Sequence, residues 1–114
     1  MRILVVDDEP VVVQTLCSLI EDVGHDALGV TDGPTALDHF RRARYDVVVV
    51  DLVMPQMNGL EVLRRLHATN RDTRLVAMTG RLFDVDDVLH KAGIPLVRKP
   101  IITAADVRAL IEAR

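Results

Sequence analysis

The run Val47-Val48-Val49-Val50-Asp51 decides the fold, because it joins four consecutive β-branched residues to a carboxylate. Valine favours extended strands, and a strand without polar alternation is typical of the middle of a parallel sheet, where both faces are covered. Further short apolar runs lie on either side along the chain. With the central run, the predicted strands are Ile3-Val6, Ala27-Val30, Asp46-Val50, Leu75-Met78 and Pro95-Val97.

Helical segments of ten or more residues separate these runs. The first has an apolar stripe with a period near 3.6 residues and ends at Gly24, and the second begins at Gly33-Pro34. The fifth begins at Thr103, a residue type that caps helices well, with Asp106 three positions on. The predicted inward faces are Val12, Leu16, Leu19, Ile20 and Val23 in the first helix, Leu37 and Phe40 in the second, Leu60, Leu63 and Leu66 in the third, Leu82, Val85, Val88, Leu89 and Ala92 in the fourth, and Val107, Leu110 and Ile111 in the fifth.

This strict alternation of strand and helix predicts an α/β fold. Parallel strands would be joined by right-handed crossovers, with helices on both faces of one five-stranded sheet, a doubly wound (βα)5 domain. A chain of 114 residues can build one hydrophobic core but not two. We therefore expect a single domain over residues 1–114, with no second domain.

Composition excludes several classes of protein. Apolar residues make up 49% of the chain and charged residues 27%, the balance of an ordinary globular domain. A net charge of -3 and 3% aromatic residues argue against binding nucleic acid or an anionic membrane. No apolar run approaches the ~20 residues of a membrane span, acidic residues at positions 7–9 argue against a signal peptide, and the single cysteine, Cys17, cannot form an internal disulfide. We expect a cytoplasmic location.

Polar side chains follow four of the five strands at their carboxyl ends. They are Asp7-Asp8 after the first strand, Asp51 after the third, Thr79-Gly80 after the fourth and Lys99-Pro100 after the fifth. The carboxyl ends of parallel strands share one edge of the sheet, and ligands bind at that edge near the point where the strand order reverses. The opposite strand ends offer little that is comparable, so this edge is the predicted functional site.

Three carboxylates at one edge require compensating positive charge. Two of them ~4 Å apart repel each other by about 4 kcal/mol at an effective dielectric near 20, whereas the whole domain is stable by only ~5–15 kcal/mol. Lys99 supplies one positive charge, and a hard divalent cation such as Mg²⁺, which prefers oxygen ligands, supplies the rest. A cation, a lysine and a hydroxyl suit a transferring phosphoryl group, and a carboxylate can act as the nucleophile and form an acyl phosphate.

Taken together, these residues and their order resemble the receiver domain of two-component response regulators over essentially the full chain. The stretches that resemble it are Asp7-Asp8-Glu9, Asp51-Leu52-Val53-Met54-Pro55-Gln56-Met57-Asn58-Gly59, Thr79-Gly80 and Lys99-Pro100. The resemblance implies a flavodoxin-like sheet with strand order 2-1-3-4-5. It also implies a phosphoacceptor that catalyses its own phosphorylation and dephosphorylation and is not a metabolic enzyme.

The resemblance further implies the acceptor and the metal ligands. Asp51 would accept a phosphoryl group from a phosphohistidine of a sensor histidine kinase or a histidine phosphotransfer protein. Asp8, Asp51 and the carbonyl of Val53 would ligate Mg²⁺ directly, with Mn²⁺ as an alternative ion, and Asp7 would act through water.

The resemblance also implies how the switch works. Thr79 would hydrogen-bond to the phosphoryl group and move toward it, Lys99 would bridge to the phosphoryl oxygens, and the Lys99-Pro100 peptide bond would be cis. Receivers usually carry Tyr or Phe three residues before the lysine, as a partner of the threonine, but Leu96 stands there in this chain. An output domain or protein target would bind the face formed by helix four, strand five and helix five. The stretch from Thr79 to Lys99 is about two residues shorter than is common.

Two other functions stay open. A constitutive interaction module with the receiver fold would signal without phosphate, and Leu96 favours it because leucine has neither a ring nor a hydroxyl to reposition. A phosphatase of the haloacid-dehalogenase type would need a second Asp two residues after Asp51, where Val53 stands. Among the remaining residues, we expect Met54 and Met57 to pack rather than bind metal, and Gly59 to permit a close approach at the start of the third helix.

Overall fold

Strands and helices alternate along the part of the chain that the structure, a computed structural model, describes. It describes residues 1–54, 58–69, 72–80 and 86–113, without the side chains of residues 86–88. The predicted inward residues Leu82 and Val85, the side chain of Val88, and Met57 lie outside this description. The elements are β1 (Arg2–Val6), α1 (Pro10–Asp22), β2 (Asp26–Val30), α2 (Gly33–Arg42), β3 (Val47–Asp51), α3 (Gly59–Thr69), β4 (Arg74–Thr79), α4 (Asp86–Ala92), β5 (Leu96–Arg98) and α5 (Ala104–Glu112).

The five strands form one parallel sheet with the order β2-β1-β3-β4-β5, which confirms the predicted fold class and strand order. In the register, Val6 lies beside Val50, Asp51 beside Met78 and Thr79 beside Arg98. The strand order reverses between β1 and β3. The carboxyl ends of β1, β3, β4 and β5 are therefore level with one another at one edge of the sheet.

Side chains that alternate along β1 and β3 build a core on each face of the sheet. On one face Leu4, Val6, Val48 and Val50 pack with buried residues of α2 and α3, and on the other Ile3, Val5, Val47 and Val49 pack with α1 and α5. All eight strand residues have no exposed surface. Burial of one valine side chain stabilises a fold by roughly 1.5 kcal/mol, so the four buried valines of β3 anchor the strand that ends in Asp51.

Several strand ends differ from the prediction by a residue. β3 ends at Asp51 rather than Val50, because Asp51 still pairs with Met78 and the next amide, Leu52 N, donates to the Met78 carbonyl at 2.9 Å. β5 begins at Leu96 rather than Pro95. The proline ring has no N–H to donate, although the Pro95 carbonyl accepts a 2.9 Å hydrogen bond from Ala77 N.

The helix faces were predicted correctly in three helices and less well in two. Phe40 of α2, Leu63 of α3 and Val107 of α5 are buried, and α5 begins with the predicted Thr103–Asp106 capping box. In α1 the buried position is Val13 instead of Val12, which is half-buried.

In α4 the prediction for Ala92 is wrong. Ala92 is exposed, and Ile94, beyond the helix, is buried in its place. The cause is the shortness of α4, because the chain turns at Gly93 with φ +71° and directs Ile94 into the core.

Both ends of the described chain lie at the amino-end edge of the sheet, opposite the polar strand ends. Arg74, at the start of β4, donates from Nη1 to the Ala113 carbonyl at 3.3 Å, and its Nη2 lies 3.9 Å from Sδ of Met1. Within the described residues, none of the helices is long and apolar enough to cross a membrane.

Candidate functional site

The strand ends bring the predicted polar residues to one edge. Asp7 directly follows β1, Asp51 and Thr79 are the last residues of β3 and β4, and Lys99 directly follows β5. Backbone hydrogen bonds continue the ladder past the strands, with Lys99 N donating to the Thr79 carbonyl at 2.8 Å and Asp7 N donating to the Val30 carbonyl at 3.2 Å. The site therefore rests on an extended, hydrogen-bonded backbone.

Three carboxylates converge at this edge. One oxygen each from Asp7, Asp8 and Asp51 lies within 4.8 Å of the other two. Asp7 has no exposed surface, Asp51 is 4% exposed and Asp8 is half-buried. A donor set made only of carboxylate oxygens, open on the Asp8 side, fits a hard divalent cation such as Mg²⁺.

Lys99 lies against two of these carboxylates. Its Nζ is 2.5 Å from Oδ2 of Asp7 and 3.3 Å from Oδ2 of Asp51. Burial opposes the charged ammonium, but the hydrogen bonds and charges of the two aspartates outweigh burial and raise the pKa of Lys99. Among the described residues, the buried Oδ2 of Asp7 is compensated by this short ion pair with Lys99.

The negative charge of the Asp51 carboxylate is incompletely compensated by its neighbours. Burial, with a smaller contribution from the charge of Asp7, raises the pKa of its carboxyl group, although the Val53 amide and Lys99 act in the opposite direction. Its Oδ1 accepts a 3.2 Å hydrogen bond from Val53 N, and Oδ1 of Asp7 accepts a 3.0 Å bond from Glu9 N. These two backbone amides orient both carboxylates toward the shared space.

The other predicted site residues lie on β4, on β5 and in the segments that follow β3 and β5. Thr79 is buried at the end of β4, and the side chain of Val53 is 36% exposed beside Asp51. Leu96 begins β5 half-buried and packs against the core cluster that includes Ala77 and Leu89. The Lys99–Pro100 peptide bond is cis.

Gly59 lies close to the backbone of Asp51 and Leu52, which is the close approach predicted for the start of the third helix. A Cβ atom there would overlap the carbonyl oxygen of Asp51 and lie 2.6 Å from Cα of Leu52. Met54 is buried in the core, as predicted. Cys17 is half-buried, and desolvation raises the pKa of its thiol.

Sequence reasoning missed an apolar groove beside Lys99. A cavity of about 270 Å³ lies between the start of α1 and the segment that precedes α5, and Lys99, Pro100 and Met78 line it. At its rim the side chains of Val11 and Ile102 are 73% and 64% exposed. Large exposed aliphatic side chains next to a reactive site are the signal that could have indicated it.

Comparison with known sequences identifies relatives of one family. The family model for the response regulator receiver domain matches residues 3–112. The sensory transduction protein RegX3 of Mycobacterium tuberculosis is 37% identical over 98 residues, which cover 78% of this chain and 43% of that protein. The DNA-binding response regulator MtrA of Mycolicibacterium smegmatis is 40% identical over 88 residues, 77% of this chain and 38% of that protein. The chain thus spans about two fifths of the length of these relatives.

Solved structures of response regulators and receiver domains are similar in fold to this chain. The response regulator TrrA of Thermotoga maritima, in complex with Mg²⁺-BeF, has a TM-score of 0.80 and 31% identity over 87% of this chain and 86% of that one. In a complex with the histidine kinase ThkA, TrrA has a TM-score of 0.78 and 31% identity over 87% and 85%. A CheY-like receiver domain protein from Methanospirillum hungatei, 22% identical over 97% and 90%, has the same fold with a TM-score of 0.88.

Proposed function

The chain belongs to the response regulator receiver domain family, and from that premise we propose that Asp51 is its phosphoacceptor and that residues 1–114 form one receiver unit. It is a receiver domain of two-component response regulators. The observation that carries the proposal is the contact of Asp51 with Lys99, 3.3 Å away, inside the cluster of Asp7, Asp8 and Asp51. Incubation with a small phosphodonor, described in the Discussion, tests it.

In the proposed reaction Asp51 acts as the nucleophile. A carboxylate oxygen attacks the phosphorus of a phosphohistidine, an O–P bond forms and the N–P bond breaks. The imidazole leaves with the electron pair and takes up a proton, and the product is an acyl phosphate on Asp51. The hydrogen bond from Val53 N to Oδ1 fixes one oxygen, so Oδ2, on the Lys99 side, is the atom we assign as the nucleophile.

The surrounding residues would lower the cost of bringing a phosphoryl dianion to an acidic pocket. Asp8, Asp51 and the Val53 carbonyl would hold Mg²⁺, or Mn²⁺ in its place, with Asp7 acting through water. When bound, the ion neutralises the charge that spreads over the phosphoryl oxygens. Lys99, already at the acceptor, would bind one of those oxygens, and the buried hydroxyl of Thr79 would donate to another.

We propose that the phosphodonor is a sensor histidine kinase or a histidine phosphotransfer protein in the cytoplasm, docked on the apolar groove beside Lys99. The groove adjoins the acceptor, because Lys99 both lines it and contacts Asp51. The exposed aliphatic side chains of Val11 and Ile102 suit the apolar face of a helical partner. The TrrA complex with ThkA supports a kinase as the partner class.

The change Ile102→Glu should slow phosphotransfer from the cognate kinase about 10-fold or more, because it places a charge on an apolar docking surface. Phosphorylation by acetyl phosphate should stay within about 2-fold of the parent rate, since the side chain of Ile102 is 64% exposed at the groove rim. Rates of Asp51 phosphorylation from both donors measure the difference. Leu28→Glu, at an exposed leucine of the sheet edge, is the matched control. Equal slowing by both substitutions would contradict docking at the groove.

Partner binding after phosphorylation is proposed for the face formed by α4, β5 and α5, where an output domain or a protein target would bind. Leu96 lies on β5 within this face, and it can transmit a change only through apolar packing, because it has no hydroxyl. The alternative function, a constitutive module, rests on this same residue. It predicts that target binding is identical with and without phosphate.

The lifetime of the proposed phosphoryl group should depend on Val53, because its exposed apolar side chain beside Asp51 has no group that could hydrogen-bond to an attacking water. The change Val53→Asn should accelerate dephosphorylation by roughly 3- to 10-fold, about 0.7–1.4 kcal/mol of barrier, because an amide can position the attacking water. The decay of phosphorylated protein after removal of the donor, followed by intact mass, measures the rate. Val53→Leu keeps the position apolar and should preserve the parent lifetime, and an unchanged or slower rate in Val53→Asn would contradict the role.

A further inference from the structure

The start of α3 is in direct contact with the backbone of Asp51. At Gly59, the first residue of the helix, a Cβ atom would overlap the Asp51 carbonyl oxygen and lie 3.0 Å from its carbonyl carbon. Gly59 N donates to the Leu52 carbonyl at 3.3 Å, and Asn58 Oδ1 accepts from Leu60 N at 2.8 Å. The first turn of α3 is thus fixed by two hydrogen bonds. One joins it to the Asn58 side chain and the other to the carbonyl of Leu52, the residue that follows Asp51.

Other contacts hold the segment from Asp51 to Val53 on its remaining sides. Leu52 N donates to the Met78 carbonyl of β4 at 2.9 Å, and Val53 N donates to Oδ1 of Asp51 at 3.2 Å. This segment carries the proposed acceptor carboxylate and the Val53 amide, the backbone donor to that carboxylate within the described residues. A displacement of α3 would be passed to both, because the β4 side cannot yield without breaking the sheet.

We propose that Gly59 is a positioning residue for phosphoryl transfer. The absence of a side chain lets α3 pack directly against the Asp51 carbonyl, and this contact fixes the position of the acceptor carboxylate. This inference rests on the proposed function. Because a Cβ atom at position 59 would overlap the Asp51 carbonyl oxygen and lie 2.6 Å from Cα of Leu52, any side chain there would move the backbone of Asp51 or the start of α3 by about 1 Å. A misplacement of that size at a reacting group lowers a rate by as much as about 100-fold.

The test compares two glycines at which a Cβ atom causes an overlap. Gly59→Ala should lower the rate of phosphorylation by acetyl phosphate, at saturating Mg²⁺, by about 10- to 100-fold. Gly29→Ala introduces a similar overlap with Val13 Cγ1 on the sheet edge, away from Asp51, and should lower the melting temperature without changing the rate by more than about 2-fold. The amide chemical shifts of Asp51 and Val53 should move in Gly59→Ala and not in Gly29→Ala.

A folded Gly59→Ala protein that is phosphorylated at the parent rate would overturn the proposal, and so would equal rate losses in the two alanine variants. If Gly59→Ala does not fold even in sucrose, Asn58→Ala decides. It removes the acceptor of the Leu60 N hydrogen bond, loosens the same helical turn without adding atoms, and should lower the rate about 2- to 5-fold; an unchanged rate would refute the role. A parent protein that takes up no phosphoryl group contradicts the proposed function itself, which separates the two failures.

Discussion

The protein with Asp51→Asn is expected to take up no phosphoryl group and to be more stable than the parent when Mg²⁺ is absent. The amide oxygen of asparagine is not a nucleophile toward phosphorus, so the acyl phosphate cannot form. Burial already raises the pKa of the Asp51 carboxyl group, which means that its charge opposes folding. Replacing it by a neutral side chain of the same shape should therefore raise the free energy of unfolding.

Two measurements check this expectation. Intact mass after incubation with acetyl phosphate and Mg²⁺ should show one added phosphoryl group on the parent and none on Asp51→Asn. Urea unfolding without Mg²⁺ should show the gain in stability. Asp46→Asn is the matched control, because the Asp46 carboxylate accepts a hydrogen bond from Arg2 N at the opposite edge of the sheet. A parent that stays unmodified would instead favour the constitutive interaction module, and addition to Asp51→Asn would place the acceptor elsewhere.

Lys99→Met should produce the second large effect, a loss of about 100-fold in the rate of phosphorylation. The ammonium that would bind the phosphoryl oxygens is gone, and Asp7 and Asp51 lose the cation 2.5 and 3.3 Å away. Leaving buried carboxylates without that partner should cost about 2–3 kcal/mol of unfolding free energy. Lys91→Met, at the other lysine of the chain and exposed on α4, should leave the phosphorylation rate within about 2-fold of the parent rate. Phosphorylation of Lys99→Met at the parent rate would contradict the role of Lys99.

The stability lost in Lys99→Met should depend on pH in a defined direction. The folded-state pKa of Asp51 lies above its ordinary value of 3.8, so the folded protein binds this proton more tightly than the unfolded chain does. The contribution of Asp51 to the free energy of unfolding therefore rises as the pH falls through the folded pKa toward 3.8. Urea unfolding should show a smaller deficit of Lys99→Met at mildly acidic pH than at neutral pH. A constant deficit would mean that the lysine acts through packing alone.

The acceptor cluster could be predicted from the sequence because its members combine a reactive side chain with a position at, or just after, the carboxyl end of a strand. Asp7, Asp51 and Lys99 satisfy both conditions, and a parallel sheet must bring such residues to one edge. The donors that orient the carboxylates could not be predicted, because they are backbone N–H groups of Glu9 and Val53 and any residue type would supply them.

The errors concern places where local geometry overrides the apolar pattern. Ala92 continues the apolar stripe of α4, but the helix ends there and Gly93 turns the chain, so Ile94 fills the core instead. The groove rim was missed for a related reason. Val11 lies outside the inward stripe of α1 and Ile102 precedes α5, so neither belongs to a periodic pattern that would single it out.

Arg74 contacts both Ala113 and Met1 on the side of the sheet that is remote from Asp51. A fluorescent reporter or an affinity tag joined to either end would therefore project away from the acidic pocket and leave it accessible to a donor. The same proximity makes the protein a suitable scaffold for circular permutation, since a short linker could join the two ends while new ends are opened in a distant surface loop.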